Sequence, residues 1–184
     1  IGDLDGDGTP EVVTGAAVND SCRSEFLFVW HADGSLATGF PIDVGLVVDS
    51  TPALGDLDGD GTKEIVVGIV LFSDVWGDYA NAYHAFHFDG TPVAGWPQVV
   101  GYSFARTTPA IGDINGDGLN DVIAGTRELA SGKIYAWHGD GRLMAGWPKY
   151  TRGVYDGASL ADLDGDGSLE VIQNVRDTVY VWRG

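Results

Sequence analysis

Four copies of one acidic octapeptide constrain this chain more than any other feature. They read Ile1-Gly-Asp-Leu-Asp-Gly-Asp-Gly8, Leu54-Gly-Asp-Leu-Asp-Gly-Asp-Gly61, Ile111-Gly-Asp-Ile-Asn-Gly-Asp-Gly118 and Leu160-Ala-Asp-Leu-Asp-Gly-Asp-Gly167. Their first aspartates, Asp3, Asp56, Asp113 and Asp162, stand 53, 57 and 49 residues apart. Self-similarity at such a period marks a repeat architecture, in which each unit buries its apolar surface against its neighbours. A β-branched run follows each copy: Glu11-Val-Val-Thr14, Glu64-Ile-Val-Val67, Asp121-Val-Ile-Ala124 and Glu170-Val-Ile-Gln173. Downstream, Trp30-His-Ala-Asp-Gly34, Phe86-His-Phe-Asp-Gly90 and Trp137-His-Gly-Asp-Gly141 end aromatic strands in Asp-Gly, a strong hairpin signal. Gly39-Phe-Pro41, Gly95-Trp-Pro97 and Gly146-Trp-Pro148 come next. One unit therefore reads as strand, acidic loop, strand, variable loop, aromatic strand, Asp-Gly turn and a last strand. No segment sustains a 3.6-residue apolar period, so the chain is expected to be all-β.

The units are expected at about 1–48, 49–105, 106–156 and 157–184, the last incomplete. Trp182 aligns with Trp30, Phe86 and Trp137, and no Asp-Gly turn or fourth strand follows it. The chain opens late in a first strand and without methionine, so it reads as a processed product or a fragment. That gives about three and a half four-stranded repeats.

The loops carry the chemistry. In the first, side-chain oxygens fall at positions 1, 3, 5 and 9, on Asp3, Asp5, Asp7 and Glu11. The carbonyl of Thr9 at position 7 adds a backbone oxygen, and glycines at positions 4 and 6 permit a tight turn. The other loops repeat the set: Asp56, Asp58, Asp60, Thr62 and Glu64; Asp113, Asn115, Asp117, Leu119 and Asp121; Asp162, Asp164, Asp166, Ser168 and Glu170. Leucine at position 7 has no side-chain oxygen, which favours a backbone role there. Hard oxygens suit calcium rather than zinc or copper. A divalent cation also removes the repulsion among three or four carboxylates. About four calcium ions, one per loop, are expected. An EF-hand is excluded, because position 12 is Thr14, Val67, Ala124 or Gln173 where that loop needs glutamate.

These loops, of the form Asp-x-Asp-x-Asp-Gly-x-x-Asp/Glu, resemble the FG-GAP/VCBS repeat, the calcium-bearing blade motif of the integrin alpha-subunit β-propeller and of many secreted bacterial proteins. The Asp-Gly and Gly-Trp-Pro landmarks look like a bacterial-type variant. The resemblance covers nearly the whole chain. It implies β-propeller blades of four strands around a central axis, with each calcium loop between the first two strands. Propellers close with roughly 4 to 8 blades, so seven blades need about 350 residues. This chain is then half of a larger propeller, a strained four-blade ring or an open arc. The open end blades are expected to be completed by a neighbouring copy, giving a homo-oligomer or head-to-tail assembly, or by further sequence.

Charge supports the same reading. Among 184 residues, 27 are acidic and 10 basic, for a net charge of −17. The loops hold 15 of the acids, and four calcium ions bring −17 to −9. A polyanion is not expected to bind nucleic acid or anionic membranes. With 44% apolar and 11% aromatic residues, disorder is excluded. No apolar run approaches the roughly 20 residues of a membrane span. Cys22 stands alone, so there is no internal disulfide framework. The Gly-x-Gly runs carry acids that would repel phosphate.

Trp30, Trp96, Trp137, Trp147 and Trp182 recur at repeat positions and are expected in the core between blades. Trp76 lies off the repeat, in a variable loop. His31, His87 and His138 follow the repeated aromatic and read as repeat features; His84 is the remaining histidine. Asn19-Asp20-Ser21 matches a glycosylation acceptor. The expected function is non-enzymatic: an extracellular or cell-surface, calcium-stabilised adhesion or scaffold module that binds a protein or glycan ligand, or itself. The alternative is a carbohydrate-binding or polysaccharide-lyase propeller, for which Tyr102, Arg106, Arg152 and Tyr155 are the nearest candidates.

Overall fold

Each acidic loop closes because the residue before its first aspartate pairs with the residue at position 9. In the computed structural model, Gly2 and Glu11 exchange both backbone hydrogen bonds, at 3.1 and 2.9 Å. Gly55 pairs with Glu64, Gly112 with Asp121 and Ala161 with Glu170 in the same way. The structure describes residues 1–17, 25–44, 47–48, 50–70, 81–101, 105–127 and 131–184. Asn19, Cys22, Trp76 and Tyr102 lie outside the described residues.

The β-branched and aromatic runs form strands, as their fit to a pleated, half-buried surface requires. The first sheet holds β1 (Val12–Ala17), β2 (Glu25–Trp30) and β3 (Ile42–Asp43), in that order. The second holds β4 (Val47–Val48), β5 (Ala53–Gly55), β6 (Glu64–Val70), β7 (Asn81–Phe86) and β8 (Gln98–Gly101); β4 and β5 both pair with β6. The third holds β9 (Ala110–Gly112), β10 (Asp121–Arg127), β11 (Gly132–His138) and β12 (Lys149–Thr151), ordered as in sequence. The fourth holds β13 (Ser159–Ala161), β14 (Glu170–Val175) and β15 (Thr178–Trp182). All pairings are antiparallel. The innermost strands lie side by side, β5 against β9 and β9 against β13. The architecture is all-β, with four sheets set as propeller blades. No described helix is long and apolar enough to cross a membrane.

The core lies between adjacent blades rather than within one. Leu4, Leu27, Ile65 and Val67 pack between the first and second sheets. Leu57, Val66, Tyr83, Trp96, Val122 and Trp137 pack between the second and third. Ile114, Ile123, Ile134, Trp147 and Val171 pack between the third and fourth. β6 is buried along its whole length, which explains its unbroken apolar run. Trp96, Trp137 and Trp147 are buried as their repeat position implies. Trp30 and Trp182 are only half-buried.

Polar links join the blades as well. The Trp96 indole Nε1 donates to Gly139 O at 2.8 Å. The Tyr83 hydroxyl donates to Gly125 O at 2.6 Å and lies 3.0 Å from Thr107 Oγ1. Complete burial pushes the Tyr83 phenol well above its ordinary range. A Cβ on Gly139 would stand 2.0 Å from Leu57 O, so only glycine lets these two blades meet.

Candidate metal centres in the acidic loops

All four loops share one hydrogen-bond scheme. The position 1 aspartate accepts from both loop glycines. For Asp3 these are Gly6 N at 2.8 Å and Gly8 N at 3.1 Å. The pairs for Asp56 measure 2.7 and 3.0 Å, for Asp113 2.7 and 2.8 Å, and for Asp162 2.7 and 3.1 Å. Those glycines hold left-handed backbone angles, with φ between 76° and 95° across the four loops. Position 3 accepts from the amide of position 5, on Asp5, Asp58, Asn115 and Asp164. Position 5 accepts from the amide of position 7, so Thr9, Thr62, Leu119 and Ser168 each donate a backbone N–H to Asp7, Asp60, Asp117 and Asp166. Hydrogen bonds from Thr62 hold the Asp60 carboxyl below its ordinary range, and the Leu119 amide does so for Asp117.

The position 9 acid lies beneath the loop. Glu11 and Glu64 are fully buried, Asp121 nearly so, and Glu170 is 5% exposed. One oxygen of each accepts from the position 2 amide, at 2.9 Å from Leu4, 2.7 Å from Leu57, 3.1 Å from Ile114 and 2.8 Å from Leu163. The other oxygen faces a histidine in three loops. His31 Nδ1 lies 3.4 Å from Glu11 Oε1, His87 Nδ1 3.2 Å from Glu64 Oε1 and His138 Nδ1 3.3 Å from Asp121 Oδ1. Burial pushes the Glu64 and Asp121 carboxyls above their ordinary range. At the fourth loop Arg183 stands at the histidine's place and contacts position 3, its Nη2 reaching Asp164 Oδ2.

The donor set fits a hard divalent cation. One oxygen from each of Asp3, Asp5 and Asp7 lies within 4.8 Å of the others, as does the set Asp56, Asp58 and Asp60 and the set Asp162, Asp164 and Glu170. The third loop differs, because the Asn115 amide donates to Asp117 Oδ2 at 3.0 Å. Successive loops are tied through position 8. Lys63 N donates to Leu4 O at 3.1 Å, Asn120 Nδ2 to Asp56 O at 2.8 Å and Leu169 N to Asp113 O at 3.1 Å.

Local spacing brings the loop residues together, as expected from sequence. The histidine partners are a finding of the fold. Asp121 and His138 face each other across β10 and β11, and that register was the one available signal. Of the four lyase candidates, Tyr102 lies outside the described residues. Arg152 lines a cavity with Arg176 and Tyr180, and neither Arg106 nor Tyr155 joins that lining.

The chain is similar to several known proteins. Over 136 residues the chain is 28% identical to integrin alpha-3 of Cricetulus griseus, covering 69% of this chain and 13% of that protein. It is 27% identical over 160 residues to integrin alpha-6 of Homo sapiens, covering 80% and 14%. The chain thus spans less than a sixth of the length of these relatives. The crystal structure of the V. cholerae biofilm matrix protein Bap1 aligns with a TM-score of 0.44 at 18% identity, over 98% of this chain and 36% of that one. The family profile of the FG-GAP-like repeat matches residues 2–67 and 113–172, more than half of the chain and including all four loops. With that match and the shared loop scheme, the chain belongs to the FG-GAP-like repeat family.

Proposed function

We propose that the chain is an extracellular, non-enzymatic adhesion or scaffold module whose blades are stabilised by calcium at the acidic loops. The observation that carries this reading is the convergence of three carboxylates within 4.8 Å in a loop whose own amides already fix their orientation. Without a cation such a cluster repels itself. Each loop takes one calcium ion through the side chains at positions 1, 3, 5 and 9 and the carbonyl at position 7. Bound calcium supplies charge neutralisation and a rigid closure of the hairpin between two strands. The chain's own residues set the shape: glycine amides aim position 1, and the position 2 amide aims position 9. The low calcium of the cytosol leaves moderate sites empty, so external calcium suits them.

We take the repeat units as about 1–48, 49–105, 106–156 and 157–184, with β4 (Val47–Val48), at the end of the first unit, pairing with β6 of the second sheet. The integrin alpha relatives support an adhesion-type role. Self-association through β15 is part of this proposal, with completion of that blade by further sequence as the alternative. β15 pairs with β14 on one side, and no described strand pairs with its other side. Val179 and Val181 on it are 64% and 50% exposed. Such an edge is a template for another strand.

Sedimentation and calorimetry with calcium and with excess EGTA test the reading together. A melting temperature that drops sharply in EGTA, with concentration-dependent association in calcium, is the expected result. An unchanged melting temperature in EGTA overturns the calcium role. A monodisperse 19.4 kDa species at every concentration overturns self-association.

A further inference from the structure

The end of the fourth blade away from its acidic loop carries a second feature. The β14–β15 turn is only two residues long, Arg176 and Asp177, with Val175 paired to Thr178. β12 of the third blade runs toward the same end, since Thr151 pairs with Gly132 at the start of β11. Arg152 follows it directly. Between them opens a cavity of about 750 Å³ lined by Arg152, Val175, Arg176, Asp177, Thr178 and Tyr180. In the other units the corresponding connection is longer, as in the four residues between Arg127 and Gly132.

Three observations converge on this cleft. Two guanidinium groups and one carboxylate line it, a net positive site on a chain of net charge −17. Arg176 has φ 55°, and among the described residues it is the one non-glycine in the left-handed region. An L-residue there costs backbone energy, which glycine at the same place would avoid. Tyr180 supplies an aromatic wall. Its ring stacks on Trp182 with centroids 5.2 Å apart and planes at 8°. Trp182 covers one face of the ring, and Tyr180 also lines the cavity.

We propose that this cleft binds the carboxylate of an acidic saccharide, a uronate residue of a polysaccharide. Planar guanidinium groups match a carboxylate through paired N–H donors. The negative face of an aromatic ring favours the polarised C–H bonds of a pyranose. The Thr178 hydroxyl adds a donor and acceptor suited to sugar hydroxyls. An acidic peptide would use the arginines and leave the aromatic wall idle, so the saccharide is the occupant the lining favours. The site lies away from the acidic loops, so it is separable from calcium binding.

Isothermal titration at fixed, saturating calcium tests this with tetragalacturonate, cellotetraose and tetraglutamate as probes. Tetragalacturonate binds, and cellotetraose and tetraglutamate bind at least ten-fold more weakly. Arg152→Gln and Arg176→Gly each weaken tetragalacturonate binding about ten-fold, the loss expected for one charged hydrogen-bonding partner. Arg176→Gly also raises the melting temperature by a few degrees, because glycine relieves the left-handed angle. The two substitutions lie on different elements, so a folding defect in one leaves the other decisive. No binding of tetragalacturonate, unchanged affinity in both variants, or equal binding of tetraglutamate overturns the proposal.

Discussion

The first three acidic loops and the fourth share a sequence and a hydrogen-bond scheme, yet they sit in different surroundings. Leu4, Leu57 and Ile114, at position 2, are at most 2% exposed, whereas Leu163 is 57% exposed. A following blade covers each of the first three side chains. No described sheet follows the fourth. The position 9 partner differs too, histidine in three loops and Arg183 reaching Asp164 in the fourth. The contrast teaches that a loop's own residues set its shape, while the next blade sets its rigidity. Position 8 carries that support backward, since each link runs from one loop to the loop before it.

The largest test of this contrast removes the same residue from a covered loop and an open one. Asp56 and Asp162 each accept two glycine amides, so local losses are matched. Asp56 is half-buried, and its carbonyl also accepts from Asn120 of the third loop. Asp162 is exposed. In saturating calcium, Asp56→Ala is expected to cost about 4 kcal/mol and Asp162→Ala about 2 kcal/mol, since two charged hydrogen bonds are lost in both but burial amplifies the first. Urea unfolding of both variants gives the numbers. Equal losses would break the distinction between covered and open loops.

What the sequence made legible was local. Five expected ligand positions within nine residues specify a loop by spacing alone, and the landmarks around them order the strands. The inter-blade contacts were hidden because register and packing create them. His31 meets Glu11 only once their strands pair, 20 residues apart in sequence. Tyr83 reaches Gly125 across 42 residues and a blade boundary. The pairing of β4 with β6 joins residues on two sides of an acidic loop, where no periodic signal runs. Arg152 and Arg176 share a cavity because one hairpin turn is short, and nothing in either residue's neighbourhood announces the other.

A smaller effect separates the loops from the blades that carry them. His84 lies on β7, stacked on Phe86 with centroids 5.9 Å apart and planes at 15°. Burial pushes its imidazole down to about 4, from an ordinary value of 6.5. The folded state therefore holds it neutral, while the unfolded state takes up a proton below pH 6.5. Stability from this residue is full above pH 6.5 and is lost as pH falls toward 4. Between pH 7 and pH 5.5 the loss is about 1 kcal/mol. His84→Gln should flatten that part of the pH profile at saturating calcium, as read by thermal unfolding at each pH. An unchanged slope would assign the pH response to the loops instead.

The smallest effect bears most directly on the difference at the fourth loop. Arg183 is a permanent cation, and it reaches the position 3 aspartate, a proposed calcium ligand, where the first three loops carry a histidine. Its guanidinium and a calcium ion then compete for Asp164. An exposed ion pair of this kind contributes at most about 1 kcal/mol, which limits the competition to about five-fold in affinity. Arg183→His restores the residue found at His31, His87 and His138 and frees Asp164. Calcium titration of the native chain should then show one weaker site beside three, and the variant should narrow that gap by up to about five-fold. The reverse change, His87→Arg, places a guanidinium over the second loop and should weaken it by a similar factor. If Arg183→His leaves the weakest site unchanged while His87→Arg weakens the second loop, the open position of the fourth loop rather than its arginine sets its affinity. The covering blade would then be the whole of the difference between the two kinds of loop.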